Sequence, residues 1–345
     1  MKKKIDFIII GQGIAGTVLA YELLKRKKKI LVIDKFQKNT SSRIALGIYN
    51  PLVLKWFTKS WMAELQLKVL VSFLNDFQKD FNVKINHQDN IYKMLDTNYV
   101  VNNWNEKQSS PNRKDFMSSK LQYLDGVQHP FGTVLNSGWV DTSLMLKTFR
   151  SHLIKNNLVI DEYFTSDDLK FEKKAIEYKN FSSKYIVFCE GSNVNTNPFF
   201  KNLKFKMTKG EIIHFKSSDL KLNNVTHSGI ITIPISKDIY YSGATFNWDI
   251  KDLTPTETAK NEIIEKVKKM KSFSYTLIDQ KVAIRPSTED RRPIIGNHRK
   301  YKNVYLMNGL GSRGILLSPY LANELCFNIL ENKKINSEIS VDRFQ

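Results

Sequence analysis

The sequence predicts an α/β chain of two domains, one built on a parallel sheet and one on a mixed, largely antiparallel sheet. Three observations predict it: an isoleucine-rich run leading into Gly11-Gln-Gly13-Ile-Ala-Gly16, an acidic residue closing the next strand, and alternation in later segments such as "GIITIPIS" and "IYYSGATF". The chain has 345 residues, 41% of them hydrophobic and 12% aromatic, enough for a large core and for two domains.

Residues 4–10, "KIDFIII", read as a strand buried on both faces. The glycines that follow open an amphipathic helix over about 14–27. Each has its own reason: Gly11 permits the tight turn, Gly13 lets a pyrophosphate approach the backbone, and Gly16 lets helix and strand pack closely. The first helical residues, Ile14 and Ala15 among them, then turn their N–H groups toward phosphate. A second strand, "KILVID", ends at Asp34 and is followed by Lys35. The Asp34 carboxylate lies 18 positions beyond Gly16, where an acid accepts hydrogen bonds from a ribose diol. Together these features predict a Rossmann-type dinucleotide site without choosing between NAD and FAD.

Beyond Asp34 comes a loop of small and hydroxylated residues (Ser41, Ser42, Ala45, Gly47), which leads through Asn50-Pro51 into a helix of about 59–80. Small side chains there would let amides and hydroxyls touch an extended ligand. "TPTETAKNEIIEKVKKM", a Thr cap with Glu three residues on, predicts another helix. Near the C-terminus an apolar strand enters Gly309-Leu-Gly311-Ser312-Arg313-Gly314, and a helix follows with Ile315, Leu316, Leu317, Leu321 and Leu325 at helical spacing. Such a turn aims a helix N-terminus and stabilises an anion.

The net charge of +19 comes from lysines spread along the chain, as a composition bias would place them. The run Lys25 to Lys29 reads as the solvated end of a helix, where cations suit the dipole. Nucleic-acid binding is therefore not the primary expectation, although tRNA stays open as a partner. Two distant cysteines, Cys189 and Cys326, support neither a disulfide framework nor a zinc site, and the six histidines form no ligand-spaced pair. No metal is expected. The basic, apolar N-terminus imitates a secretory signal, but Asp6 interrupts it and the glycines follow nucleotide-binding spacing. No run reaches the roughly 18 apolar residues of a membrane span, so the expectation is a soluble, cytoplasmic protein.

Arginine is rare, at 10 of 53 basic residues, yet half of the arginines fall between 285 and 313. "AIRPSTEDRRPIIG" alone holds Arg285, Arg291 and Arg292. A chain that defaults to lysine gains from each arginine a planar fork that grips a carboxylate or phosphate at two points.

Several segments carry a resemblance. The loop 39–64, "SGWVDTSLMLKTFRSHL" (137–153), "YIVFCEG" (185–191), "KGEIIHF" (209–215), "SGATF" (242–246), "AIRPSTEDRRPIIG" and "NVYLMNGLGSRGILLSP" (303–319) are similar, in order, to motifs of the D-amino-acid oxidase and glycine oxidase superfamily of FAD-dependent amine oxidases. Residues 51–136 are nearly silent. The resemblance implies a discontinuous Rossmann-type FAD-binding domain (1–50, 138–200 and 285–345) and a substrate domain (51–137 and 201–284), with the active site over the flavin. It implies FAD contacts from Gly11, Gly13, Ile14, Ala15, Gly16, Asp34, Lys35, Ser41, Ser42, Ala45 and Gly47. Further contacts are implied from Cys189, Glu190 and Gly191, and from Gly311, Ser312, Arg313, Gly314 and Ile315.

The family's Arg-Pro pair carries over to Arg285 as a clamp for a substrate carboxylate, and Arg313 would face the flavin or add a second contact. Arg291 and Arg292 follow the clamp, and for at least one a structural pairing with Asp290 or Glu289 is expected. No cysteine lies between 190 and 325, so FAD is expected to be noncovalent. The implied reaction is hydride transfer from an amine, a small amino acid or N-substituted glycine, to flavin, with O2 or another electron acceptor completing the cycle.

Two departures stand out. Glycine oxidase's substrate-contacting tyrosine would fall on Ile231, three residues before Pro234, which alters the pocket. The turn Gly309–Gly314 is more similar to the oxidoreductase half of the bifunctional tRNA wobble-uridine enzymes, which removes a carboxymethyl group from a modified uridine. Their methyltransferase half is absent from this sequence. A tRNA-modifying oxidoreductase and a noncatalytic flavoprotein are thus the alternatives to a small-amine oxidase. The sequence leaves oligomeric state open.

Overall fold

A computed structural model describes residues 2–173 and 175–344. The chain divides into two compact units, one of Met1–Arg43, Thr142–Thr208 and Ile284–Gln345, the other of Ile44–Asp141 and Lys209–Ala283. Residues 44–50, expected with the first piece, thus lie in the second unit.

The first unit is an eight-stranded sheet flanked by helices. In chain order it contains β1 (Lys3–Ile10), α1 (Ile14–Lys25), β2 (Ile30–Ile33), α2 (Thr142–Lys155), β3 (Val159–Ile160), β4 (Leu169–Glu172), β5 (Ala175–Tyr178), β6 (Phe181–Phe188), β7 (Ile294–Asn297), β8 (Val304–Asn308) and α3 (Gly314–Glu331). The sheet runs β3-β2-β1-β6, with the β4-β5 hairpin and β8 sharing the far edge of β6, and β7 paired with β8. Strands β3, β2, β1, β6 and β8 are mutually parallel. Phe7, Ile8 and Ile9 are fully buried, which explains why β1 reads as an unbroken apolar run.

Helix α1 departs from expectation. It is buried at every residue from Ile14 to Leu23 and has no polar face there, because α3 and α2 pack against it. Helix spacing was legible in the sequence; the second covering layer was not.

The second unit contains an eight-stranded, mostly antiparallel sheet that includes a parallel pairing, Thr226 with Tyr92 and His227 with Lys93. Its core gathers Phe131, Phe215, Tyr240, Ile263, Ile264 and Val267. The helix expected over 59–80 spans Ala63–Phe81, because Thr58 and Lys59 pair with Leu52 and Val53 as a short ribbon. The helix Glu257–Lys268 is capped by Thr256, whose Oγ1 accepts the Ala259 N–H at 3.2 Å. Glu211 of the Lys-Gly-Glu segment is buried and accepts from Thr256 N (2.8 Å), Thr256 Oγ1 (3.0 Å) and Gln280 Nε2 (2.8 Å). That motif therefore fastens the helix start to the sheet. No helix among the described residues is long and apolar enough to cross a membrane.

Candidate functional site

The turn after β1 is shaped by close approaches that exclude side chains. Gly11 has φ +97°, and a Cβ there would lie 2.5 Å from the Cys189 carbonyl oxygen. A Cβ on Gly16 would lie 1.9 Å from the Gly11 carbonyl oxygen, so helix and turn meet only through a glycine. Gly13 is the N-cap of α1 and offers no side-chain cap. Ser42 substitutes for it: its Oγ accepts the Ile14 N–H at 3.0 Å. The other first-turn amides, those of Ala15 and Gly16 among them, have no acceptor within a helix and face outward with the positive end of the dipole.

Asp34, just past β2, is held from three directions. Its Oδ1 accepts the Gln12 N–H at 2.8 Å, its Oδ2 accepts from Arg150 Nη1 at 3.0 Å, and its main-chain oxygen accepts from Arg150 Nη2 at 3.0 Å. Arg150 also pairs with Asp161 at 3.3 Å. Burial pushes the Asp34 carboxyl above its ordinary value, while the Gln12 amide, Arg150 and Arg43 pull it back. Each oxygen keeps acceptor capacity beyond these contacts. Lys35 is more exposed and pairs with Asp161 at 3.8 Å.

The ends of β6 and β8 are tied together. Asn308 donates from Nδ2 to the Gly191 carbonyl at 2.9 Å, and its Oδ1 accepts the Gly309 N–H at 2.7 Å. Cys189 is buried, and burial raises its thiol well above the ordinary range. Glu190 accepts from Asn197 Nδ2 at 2.6 Å, and burial lifts its carboxyl to about 7.

The two arginine segments meet. The Gly311 N–H donates to the Pro286 carbonyl at 3.1 Å, and a Cβ on Gly311 would lie 3.1 Å from Ser287 Oγ. Arg313 is the N-cap residue of α3, whose first residue, Gly314, sits where a Cβ would lie 3.2 Å from Ile14 at the start of α1. The N-termini of α1 and α3 are therefore neighbours. Burial lowers the Arg285 guanidinium to about 10 and lowers that of Arg313 as well. At neutral pH Arg285 remains a cation, one short of solvent, which strengthens its attraction for an anion. Ser312 is exposed and Ile315 buried.

Ala45 and Gly47 lie in the second unit, where Gly47 (φ +67°) would place a Cβ 1.9 Å from the Val140 carbonyl oxygen. Its smallness serves that packing. Ser41 opens a short helical turn, Ser41–Ile44. Asp290, expected to pair with Arg291 or Arg292, pairs instead with Arg343 at 2.9 Å, while Arg292 faces Glu338 at 3.6 Å. Arg343 of the C-terminal segment supplies the cation beside Asp290, and the Arg292 main-chain N–H donates to Asp290 Oδ1 at 3.0 Å.

Residues 6–327 match the family model described as FAD dependent oxidoreductase. The chain belongs to this family. A bifunctional tRNA 5-methylaminomethyl-2-thiouridine biosynthesis protein MnmC from Marinobacter nauticus is 24% identical over 358 residues, covering 92% of this chain and 55% of that protein. The chain thus spans about half the length of that relative. The uncharacterized oxidoreductase YurR of Bacillus subtilis is 21% identical over 365 residues, covering 94% and 95% of the two chains. Glycine oxidase from Geobacillus kaustophilus shares the fold, with a TM-score of 0.79 at 16% identity and 96% of each chain covered.

The residues fit the family's FAD. A pyrophosphate needs a side-chain-free helix start, which Gly11, Gly13 and Gly16 provide, and a ribose diol needs an oxygen acceptor, which the Asp34 carboxyl provides. The sequence reading missed Gln12, Arg150, Asn308 and Arg43, the last lying 4.5 Å over the Phe36 ring. The scarcity of arginine was the available signal for Arg150 and Arg43.

Arg150→Met is expected to weaken FAD binding about tenfold and to destabilise the fold by about 2–3 kcal/mol at pH 8, since it strands a buried carboxylate. Without Arg150 the folded-state pKa of Asp34 rises further above 3.8. Folded protein then holds a proton that unfolded protein has released, so the loss grows as pH rises from about 4 and levels off above the folded pKa. Urea unfolding at pH 5 and pH 8 measures it; an equal loss at both would remove Asp34 from the account.

Proposed function

We propose that the protein oxidises the C–N bond of a small amine carrying a carboxylate, an amino acid or an N-substituted glycine, with the imine product hydrolysed in water. The observation that carries this reading is the seam between the two arginine segments, where Gly311 N meets Pro286 O at 3.1 Å. It sets Arg285 beside the turn that starts α3. Bound FAD supplies the redox chemistry by accepting a hydride from the carbon that bears the nitrogen. The chain's task is orientation: Arg285 grips the carboxylate, and Pro286 fixes the backbone of the grip. Arg313 and the α3 N-terminus concentrate positive potential on the same turn. A strong general base is not required when the substrate enters as the neutral amine. Noncovalent FAD, and O2 or another acceptor for reoxidation, belong to the same proposal.

Anaerobic mixing of purified holoprotein with a panel of amino acids and N-substituted glycines tests it. Loss of the oxidised flavin absorbance with at least one carboxylated amine is the expected result. Bleaching by dithionite but by no member of the panel would sink the reading.

A second reading, removal of a carboxymethyl group from a modified wobble uridine in tRNA, is favoured by the likeness to a bifunctional protein of tRNA 5-methylaminomethyl-2-thiouridine biosynthesis. It uses the same arginine, because that substrate is also an N-substituted glycine. Bleaching by tRNA carrying the carboxymethylaminomethyl group, and not by free amines, would select it.

A further inference from the structure

The positive charge is not spread evenly over the fold. The first unit holds 32 Lys and Arg against 16 Asp and Glu, a net +16, whereas the second holds 21 against 18, a net +3. Within the first unit the parallel strands all begin at one edge, opposite the glycine turns. Four segments distant in sequence deliver cations there: Lys2, Lys3 and Lys4 at the start of β1; Lys27, Lys28 and Lys29 before β2; Lys179 and Lys184 flanking the start of β6; and Arg299, Lys300 and Lys302 before β8.

Their order across the sheet is β2, β1, β6, β8, so at about 4.8 Å per strand the row is roughly 15 Å wide. The row is stepped. Phe7 pairs with Ile30 and Ile186 with Val304, so β1 and β6 extend about four to five residues, roughly 13–17 Å, beyond β2 and β8. A lysine-tipped tongue is thus flanked by two basic shoulders. Asp6 is the one carboxylate in the four segments 2–6, 27–29, 179–184 and 298–303, and it accepts the Lys29 N–H at 2.9 Å and lies 3.9 Å from Lys184. Lys2 and Lys179 are paired with acids outside those segments. Lys3, Lys4, Lys27, Lys28, Lys29, Arg299, Lys300 and Lys302 have no ion pair among the described residues, and all except Lys28 are exposed.

We propose that this stepped edge binds the phosphate backbone of a folded RNA. Eight unpaired cations on one edge go well beyond what a helix C-terminus attracts, which accounts at most for Lys25 to Lys29. Cations set at two depths match backbones that converge at an angle. A flat anionic bilayer would meet only the tongue, and no segment of the row carries an exposed large hydrophobic side chain to enter it. The cations sit at strand starts and in the turns that precede them, so recognition rests on phosphate position and on counterion release. The proposal does not rest on the amine-oxidation reading, and its test uses no turnover.

The experiment is fluorescence anisotropy of the FAD-loaded protein with labelled, unmodified tRNA over a range of salt concentration. The shoulder variant carries Lys27→Glu, Lys29→Glu, Lys300→Glu and Lys302→Glu. The control carries Lys68→Glu, Lys120→Glu, Lys221→Glu and Lys237→Glu, exposed lysines of the second unit, with the same change in net charge. The shoulder variant is expected to bind at least about 100-fold more weakly at 100 mM salt, with the log K against log salt slope reduced by about three. The control should lose less than about threefold. Equal loss in both variants, tighter binding of a duplex DNA of similar size, or binding of phosphatidylserine vesicles without binding of tRNA would each overturn the proposal. Flavin absorbance and thermal midpoint of both variants confirm that the comparison is made between folded proteins.

Discussion

Gly16→Ala is expected to yield protein without FAD. The new methyl would meet the Gly11 carbonyl oxygen at 1.9 Å, and the clashing atom is main chain, so α1 and the turn must separate. Affinity for FAD should fall at least about a thousandfold, since several kcal/mol of distortion falls on the phosphate-facing end of α1. The ratio of flavin to protein absorbance after purification, and FAD titration of the apoprotein, read this directly. Should the variant prove insoluble, Gly13→Ala separates folding from binding. Its methyl would meet a side-chain oxygen, Ser42 Oγ, at 3.0 Å, which can rotate aside. That protein should fold with a loss of about 1 kcal/mol and bind FAD about tenfold more weakly. A Gly16→Ala protein fully loaded with FAD would show that the α1 N-terminus is not the phosphate site.

Arg285→Lys is the second large effect. Lysine keeps the charge and loses the planar fork, so it separates two-point grip from simple attraction. With a carboxylated amine that bleaches the flavin, kcat/KM is expected to fall about 100- to 1000-fold, partly through a raised KM and partly through slower flavin reduction, because a loosely held substrate presents its C–H bond poorly. FAD content should not change. Unaltered KM and reduction rate would place the carboxylate anchor elsewhere. Because Arg285 stays cationic to about pH 10, substrate binding should weaken only toward strongly alkaline pH, once the guanidinium begins to lose its proton.

What the sequence made legible was local. The βαβ unit could be read because strand, glycines, helix and acid lie within residues 3–34 and each answers a steric or electrostatic demand of its neighbours. The link between Arg285-Pro286 and Gly309–Gly314 spans only some 25 residues, although the hydrogen bond that joins them is a property of the folded chain. Contacts between remote segments stayed hidden. Arg150 reaches Asp34 across 116 positions, and Asn308 reaches Gly191 across 117. Neither distance leaves a periodic signal. The same reason explains the basic edge: lysine triplets at 2–4 and 27–29 look like composition until parallel pairing brings their strands to one end of a sheet. Gly47 shows a further hidden demand, a small residue that the Val140 carbonyl requires whatever else it touches.

The position of β6 governs how the chain reaches this fold. It is the strand on which the sheet is assembled, yet it pairs on one side with residues 3–10 and on the other with residues 304–308. During synthesis the isoleucine-rich β1 meets β2 early but must wait some 170 residues for its other partner, and the sheet is unfinished until nearly the whole chain has emerged. Such non-local pairing makes folding slow and leaves a sticky strand exposed in the meantime. A fragment ending before residue 181 is therefore expected to expose β1 and to aggregate, despite carrying every residue of the glycine turn. Assembly of the sheet and completion of the FAD cradle are one event, set by the arrival of the last parallel strand.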